Sequence, residues 1–247
     1  MKQKSAAAGC RQLDAFGPTI LWMVRVRAMI RSVGAAILGV AIAAIIAVAQ
    51  QPEKVIILVG PPGSGKTTQA GLLSKKYGIP AISMADLLKK EMATRKDAIS
   101  RALAPSIASG EVLPDEAAAN LIRQRLLRGD HKKGFILDGF PATAGQAKDL
   151  DRILQEEQLP KAVVVVLDAP DDVIRKRMLG RRRADDKPEI IDRRIRDFRN
   201  EAALLVGWAG ETRLVRVNAD ASIADVSTHI VAGLEDAWSK GVLKSRP

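Results

Sequence analysis

The chain has one cysteine, Cys10, and two histidines, His131 and His229, among its 247 residues. A lone thiol excludes a disulfide framework and any cysteine-based metal centre. The two histidines lie far apart in sequence and suggest neither a metal site nor a Ser/His/Asp triad, so they read as ordinary surface or helix-end residues. Aromatics are scarce too, at 3%. Stacking of bases on aromatic side chains therefore has little to work with, and no nucleic-acid partner is expected. Hydrophobic residues still reach 47%, so the core must be built mostly from Ala, Val, Ile and Leu, and the length allows a substantial one.

Acidic residues are nearly missing from the first fifty positions. Asp14 stands against Lys2, Lys4, Arg11, Arg25, Arg27 and Arg31, which gives this segment +5 of the net charge of +11. Its second half, residues 32–49, is an uncharged apolar run ending in Ala47-Val48-Ala49 before Gln50. Basic residues ahead of the run and small residues at its end fit a signal peptide, and its length also suits a tight membrane anchor. A start at Met29 would give a signal peptide of conventional form. In either form the basic flank keeps the N-terminus cytoplasmic and the chain beyond the run outside. That expectation of an exported or membrane-anchored protein conflicts with the motif beginning at residue 55, whose chemistry belongs to the cytoplasm.

Residues 55–59, Val-Ile-Ile-Leu-Val, form an uninterrupted apolar run that reads as a strand buried on both faces of a parallel sheet. It leads into Gly60-Pro-Pro-Gly-Ser-Gly-Lys-Thr-Thr-Gln69 and then a helical stretch. Glycines at 60, 63 and 65 let the backbone curl so that successive N–H groups converge on phosphate oxygens. The following helix adds its unpaired N–H groups and positive dipole end. Lys66 is placed to reach the β- and γ-phosphates, and the Thr67 hydroxyl to meet Mg²⁺.

From Gln51 onward short apolar runs alternate with longer amphipathic ones. Strands are predicted at 55–59, 80–83, 135–138, 163–168 and 213–218. Helices are predicted at 66–77, 85–95, 98–109, 115–127, 145–157, 171–180, 189–205 and 222–239. This alternation implies a three-layer α/β/α fold around a five-stranded parallel sheet, with ligands beyond the carboxyl ends of the strands. Residues 51–243 read as one domain. A second strand, Gly134-Phe-Ile-Leu-Asp138, ends in a carboxylate suited to hold Mg²⁺ through water. Arginines gather between Arg175 and Arg199, interrupted at Gly180 and at 184–188. Guanidinium forks on a closing loop suit the transition state of phosphoryl transfer.

In order along the domain, these motifs resemble the adenylate kinase family of nucleoside-monophosphate kinases in its short-lid form. The segments are Gly60 to Gln69, Gly78 to Lys89, Ser109 to Asp115, Gly134 to Pro141 with Gln146, Arg177 to Asp186 with Arg194, and Asn218 to Asp220. The resemblance implies transfer of the ATP γ-phosphoryl group to a nucleoside monophosphate, AMP foremost, by a monomer using Mg²⁺. It assigns ATP to Gly60, Pro61, Pro62, Gly63, Ser64, Gly65, Lys66, Thr67, Thr68, Arg177, Arg181 and Ala219. It assigns the acceptor to Met84, Lys89, Val112, Gly139, Ala142, Gln146, Arg183 and Arg194. Lys66 with Arg177, Arg181, Arg183 and Arg194 would stabilise the transferring group, Thr67 and Asp138 would serve the metal, and Asp185 and Asp186 would hold the lid arginines. An acceptor-binding region is expected at about 83–113 and a lid at about 181–188.

The acceptor half departs from the family pattern. Ala142 follows Phe140-Pro141 where relatives carry an arginine, Lys89 stands for a second arginine, and Met84 for a threonine. A lysine supplies charge but no two-pronged fork. These departures leave two other readings beside AMP phosphorylation: a kinase for a different small phosphate compound, and an ATP-binding module with feeble transfer.

Overall fold

The computed structural model describes residues 53–94, 112–181 and 186–241. The apolar run 32–49, the helix expected at 98–109, and Arg182, Arg183 and Asp185 lie outside the described residues.

Strand β1, Lys54–Val59, is apolar from its second residue on and sits at the centre of the sheet. It pairs in parallel with β3, Gly134–Asp138, on one side and β4, Val163–Asp168, on the other. Outside them lie β2, Ala81–Ser83, and β5, Leu214–Asn218, giving the order β2-β3-β1-β4-β5. The expectation of five parallel strands holds, with each boundary within one residue. Successive β1 side chains go to opposite faces. Val55, Ile57 and Val59 join one core cluster, and Ile56 and Leu58 join the other. A strand buried on both sides has no place for a polar residue, which is why its sequence shows no alternation. The edge strand β5 does alternate, with Val215 and Val217 buried and Arg216 and Asn218 exposed.

Among the described residues seven α-helices cover the sheet: α1 Lys66–Tyr77, α2 Met84–Thr94, α3 Asp115–Leu126, α4 Ala144–Glu156, α5 Asp171–Arg181, α6 Pro188–Ala209 and α7 Ile223–Ser239. Helices α3, α4 and the C-terminal turns of α6 pack on the Val55 face, and α1, α5 and α7 on the Ile56 face. The layers are α/β/α.

Helix α6 runs four residues past the end that the sequence pattern predicts. Gly207 weakens helix propensity by roughly 1 kcal/mol, but tertiary contacts outweigh it. Leu205 and Ala209 are buried one turn apart, and the Trp208 indole N–H donates to Asp151 Oδ2 at 2.6 Å. The helix stops at Gly210, whose φ of 68° no side-chain-bearing residue adopts comfortably.

Helix α4 is held at its start by Thr143, whose hydroxyl accepts from the Gln146 N–H at 3.1 Å and donates to Asp115 Oδ1 at 2.7 Å. One side chain thus caps α4 and ties it to α3. Thr143→Ala is expected to lower stability by about 1 kcal/mol through loss of the cap alone. Urea unfolding reads this as a lower midpoint at constant m-value, and an unchanged midpoint would show that the cap contributes nothing.

Candidate nucleotide site

The loop after β1 is shaped by contacts a larger residue would break. A Cβ on Gly60 would lie 2.5 Å from the Leu167 carbonyl oxygen and 2.6 Å from Ser64 Oγ, so the chain turns hard against the end of β4. Gly63 and Gly65 have φ of 87° and 94°, the left-handed region open to glycine. Gly65 N-caps α1 without a side chain, which leaves the first N–H groups of the helix facing the loop. Lys66 folds back across the curl, donating to the carbonyls of Gly60 at 2.7 Å and Pro61 at 2.9 Å. Its ammonium is pushed down to about 8 by burial, with the nearby Asp138 charge opposing the shift and that of Arg181 adding to it.

Register explains how Asp138 reaches the loop. Leu58 of β1 pairs with Asp138 of β3, so the carboxylate ends its strand one residue before the loop begins. Asp138 is 6% exposed and accepts a hydrogen bond from Thr67 Oγ1 at 2.5 Å. A hydroxyl and a carboxylate oxygen side by side are donors of the kind a hard divalent cation takes. Among the described residues no group of three or more His, Cys, Asp or Glu side chains could hold a metal by itself.

The arginine-rich stretch divides by task. Arg181 grips Asp186 through Nε at 3.0 and 2.9 Å and Nη2 at 2.7 Å, and the Asp186 side chain is 1% exposed. Arg177 Nη1 donates to the Ala219 carbonyl at 2.9 Å. The Ala219 N–H in turn donates to the Asp168 carbonyl, so Arg177 lies against the ends of β4 and β5. Two others are scaffold. Arg175 bonds Asp192 across α5 and α6. Arg199 fans onto Asp168 at 2.6 Å, Asp171 at 2.8 Å and the Ala169 carbonyl at 2.9 Å, a role its place in the charge run does not disclose.

A cavity of about 310 Å³ opens beside the loop and gathers most of the residues expected to meet the acceptor. Gly60, Pro62 and Lys66 form one wall, Met84 and Leu88 of α2 a second, and Val112, Leu113, Gly139, Ala142 and Gln146 a third. Arg194 closes it from α6. Lys89 is not among the lining residues; it sits on the outer face of α2, 74% exposed, 3.7 Å from Asp86. Arg183 lies outside the described residues. Gln146, 2% exposed, commits its amide to the main chain: Nε2 donates to Leu113 O at 3.0 Å and Oε1 accepts from the Ala142 N–H at 2.8 Å.

On α6, motif reasoning misses four lining residues, Asp197, Phe198, Glu201 and Leu205. With Arg194 they occupy positions i, i+3, i+4, i+7 and i+11, one face of a helix. That spacing is present in the sequence, but a charge on a helix reads first as solvated surface.

The comparisons with known proteins agree with this geometry. A family model described as adenylate kinase matches residues 58–212. Adenylate kinase 1 of a Nostoc species is 38% identical over 180 residues, spanning 72% of this chain and 97% of that protein. The adenylate kinase of Corynebacterium urealyticum is 36% identical over 73% of this chain and 98% of its own length. That of Leptospira biflexa is 36% identical over 73% of this chain and the whole of its own. The chain belongs to the adenylate kinase family of nucleoside-monophosphate kinases.

Proposed function

We propose that the protein transfers the γ-phosphoryl group of ATP to AMP. The observation that carries this reading is that Lys66 and Gly60 of the phosphate loop line the same cavity as Met84, Val112, Ala142 and Gln146. Donor and acceptor thus meet at one lysine. A phosphate oxygen of the acceptor attacks the γ-phosphorus, the bond to the β–γ bridging oxygen breaks, and two nucleoside diphosphates leave when the donor is ATP. Lys66 follows the charge onto the leaving oxygens, Arg194 steadies the acceptor phosphate, and Arg177 and Arg181 lie along the donor phosphates. Mg²⁺, held through Thr67 and Asp138 and in part through water, would neutralise charge on the donor phosphates.

In this reading residues 51–243 work as one kinase domain, with 83–113 receiving the acceptor and 181–188 closing as a lid. The protein is read as a monomer, as the family resemblance implies. Among the described residues no helix is long and apolar enough to cross a membrane. The apolar run 32–49, outside them, supports export or anchoring by that segment, and nucleotide chemistry supports a cytoplasmic home. Sizing the product and fractionating cells distinguishes these. A second reading, a different phosphate-bearing acceptor or an ATP binder with feeble transfer, is favoured by Ala142 in the cavity wall and by Lys89 on the outside of α2. A coupled assay of purified protein against a panel of monophosphates decides: ADP formed from AMP supports the first reading, a preferred different acceptor the second, and no turnover the binder.

Three outcomes are expected. Lys66→Ala should lower kcat by roughly a hundredfold or more while the thermal transition is kept; retained activity would remove Lys66 from the chemistry. Ala142→Arg should lower the KM for AMP by roughly tenfold, the worth of one charge-assisted hydrogen bond, and a flat response would mean that the wall is shaped for another acceptor.

The third concerns pH. Lys66 in the free protein loses its proton as pH rises through about 8, and bound polyphosphate restores the charged form. ATP binding should therefore weaken above pH 8 and take up a proton at pH 8.5, but not at pH 6.5, where the amine is already charged. Calorimetry in buffers of unlike ionisation heat reads the uptake, which Lys66→Arg should abolish. Equal heats at pH 8.5 would refute it. The same shift makes the buried ammonium a cost to folding below pH 8, relieved between about 8 and the unfolded value of 10.5.

A further inference from the structure

We propose that Glu201 determines which base the acceptor carries, its carboxylate taking a hydrogen bond from an exocyclic amine; this rests on the kinase reading above. The lining residues of α6 run from Arg194 through Asp197, Phe198 and Glu201 to Leu205. Leu205 shares an apolar cluster with Met84 and Leu113, and Leu88 packs against it, which makes that end of the face suited to a flat ring. Glu201 stands between Arg194 and Leu205, seven residues beyond the first. At about 1.5 Å rise per residue that is roughly 10 Å along the helix, a separation comparable with that between a nucleotide's phosphate and the far edge of its base.

The group in the best place to read that edge is already engaged. Both ends of the Gln146 amide are bonded to the main chain, at Leu113 and Ala142, so Gln146 braces the wall. Glu201 is half-buried, and among the described residues no hydrogen bond or ion pair reaches it; the same holds for Asp197, one turn nearer Arg194. A carboxylate only accepts hydrogen bonds, and a partly desolvated one left unpaired is costly. An amino-purine brings it a donor. An oxo-purine presents lone pairs at the same atom, so a carboxylate placed to meet the exocyclic amine is repelled there. Asp197, at the level of the sugar, offers the same acceptor chemistry to hydroxyls.

The test uses the full chain, with initial rates for AMP and IMP at saturating ATP. Wild type is expected to favour AMP over IMP by at least roughly tenfold in kcat/KM, and Glu201→Gln, whose amide offers both donor and acceptor, to narrow that ratio by roughly tenfold. Glu201→Ala should narrow it as well, with the KM for ATP unchanged in both variants. Variants that turn over AMP with the wild-type ratio would overturn the role of Glu201 while leaving the kinase reading intact. Wild-type protein that phosphorylates neither compound would overturn both.

Discussion

The site depends on the register of three parallel strands. With Leu58 opposite Asp138 and Val59 opposite Val166, the phosphate loop, the metal-side carboxylate and the Asp168 end of β4 all emerge at one edge of the sheet. A slip of one residue would carry Asp138 about 3.3 Å along its strand and out of reach of Thr67. It would also send Phe135 and Leu137 to the face that Ile136 now packs on, and Ile136 to theirs. The chemistry is therefore held in place by Val, Ile and Leu side chains that never touch substrate, and by the Leu167 carbonyl that leaves Gly60 no room for a side chain.

On that frame the cationic charge of the region between α5 and α6 is put to two uses. Arg175 and Arg199 are consumed by Asp192, Asp168 and Asp171 and lock the two helices to the sheet. Arg181 is held by a carboxylate that is almost wholly buried, and Arg177 by a carbonyl. Holding a guanidinium in a fixed fork gives up its side-chain entropy at folding, so less is lost when phosphates arrive. Positive charge aimed in advance is what stabilises a transition state whose own charge is spread over several oxygens.

Much of this is legible in the sequence, for definite reasons. The run Val55–Val59 and the glycine spacing after it are strong signals because a doubly buried strand and a curled backbone tolerate few other residues. Asp138 is legible for the same reason, a carboxylate ending an apolar run. What escapes depends on tertiary context. The last turn of α6 is held by Trp208 on Asp151, against the local preference of Gly207. The engagement of Gln146 depends on where Leu113 and Ala142 fall in space. Glu201 is hidden because a charge in a mixed helical run looks solvated until the opposite wall is known. Charge density flags the stretch holding Arg199 but cannot separate it from Arg177, since a structural guanidinium and a phosphate-binding one differ only in the neighbours that folding supplies.

The two halves of the site differ in what a substitution can change. In the proposed reading the donor phosphates are received largely by main-chain N–H groups and Lys66, and an N–H survives most replacements of its side chain. The acceptor, in the same reading, is received by side chains, Met84, Val112, Ala142, Arg194, Asp197 and Glu201, which all line the cavity. Each can be exchanged without disturbing the sheet register or the loop, because none of them is part of the hydrogen bonding that fixes Thr67 to Asp138 or Lys66 to Gly60 and Pro61. In the proposed reading, alanine in place of an arginine at 142 weakens the grip on an acceptor phosphate without touching the loop hydrogen bonds. The choice of acceptor in that reading falls to the helix face that runs from Arg194 to Leu205, which spans a nucleotide-sized length.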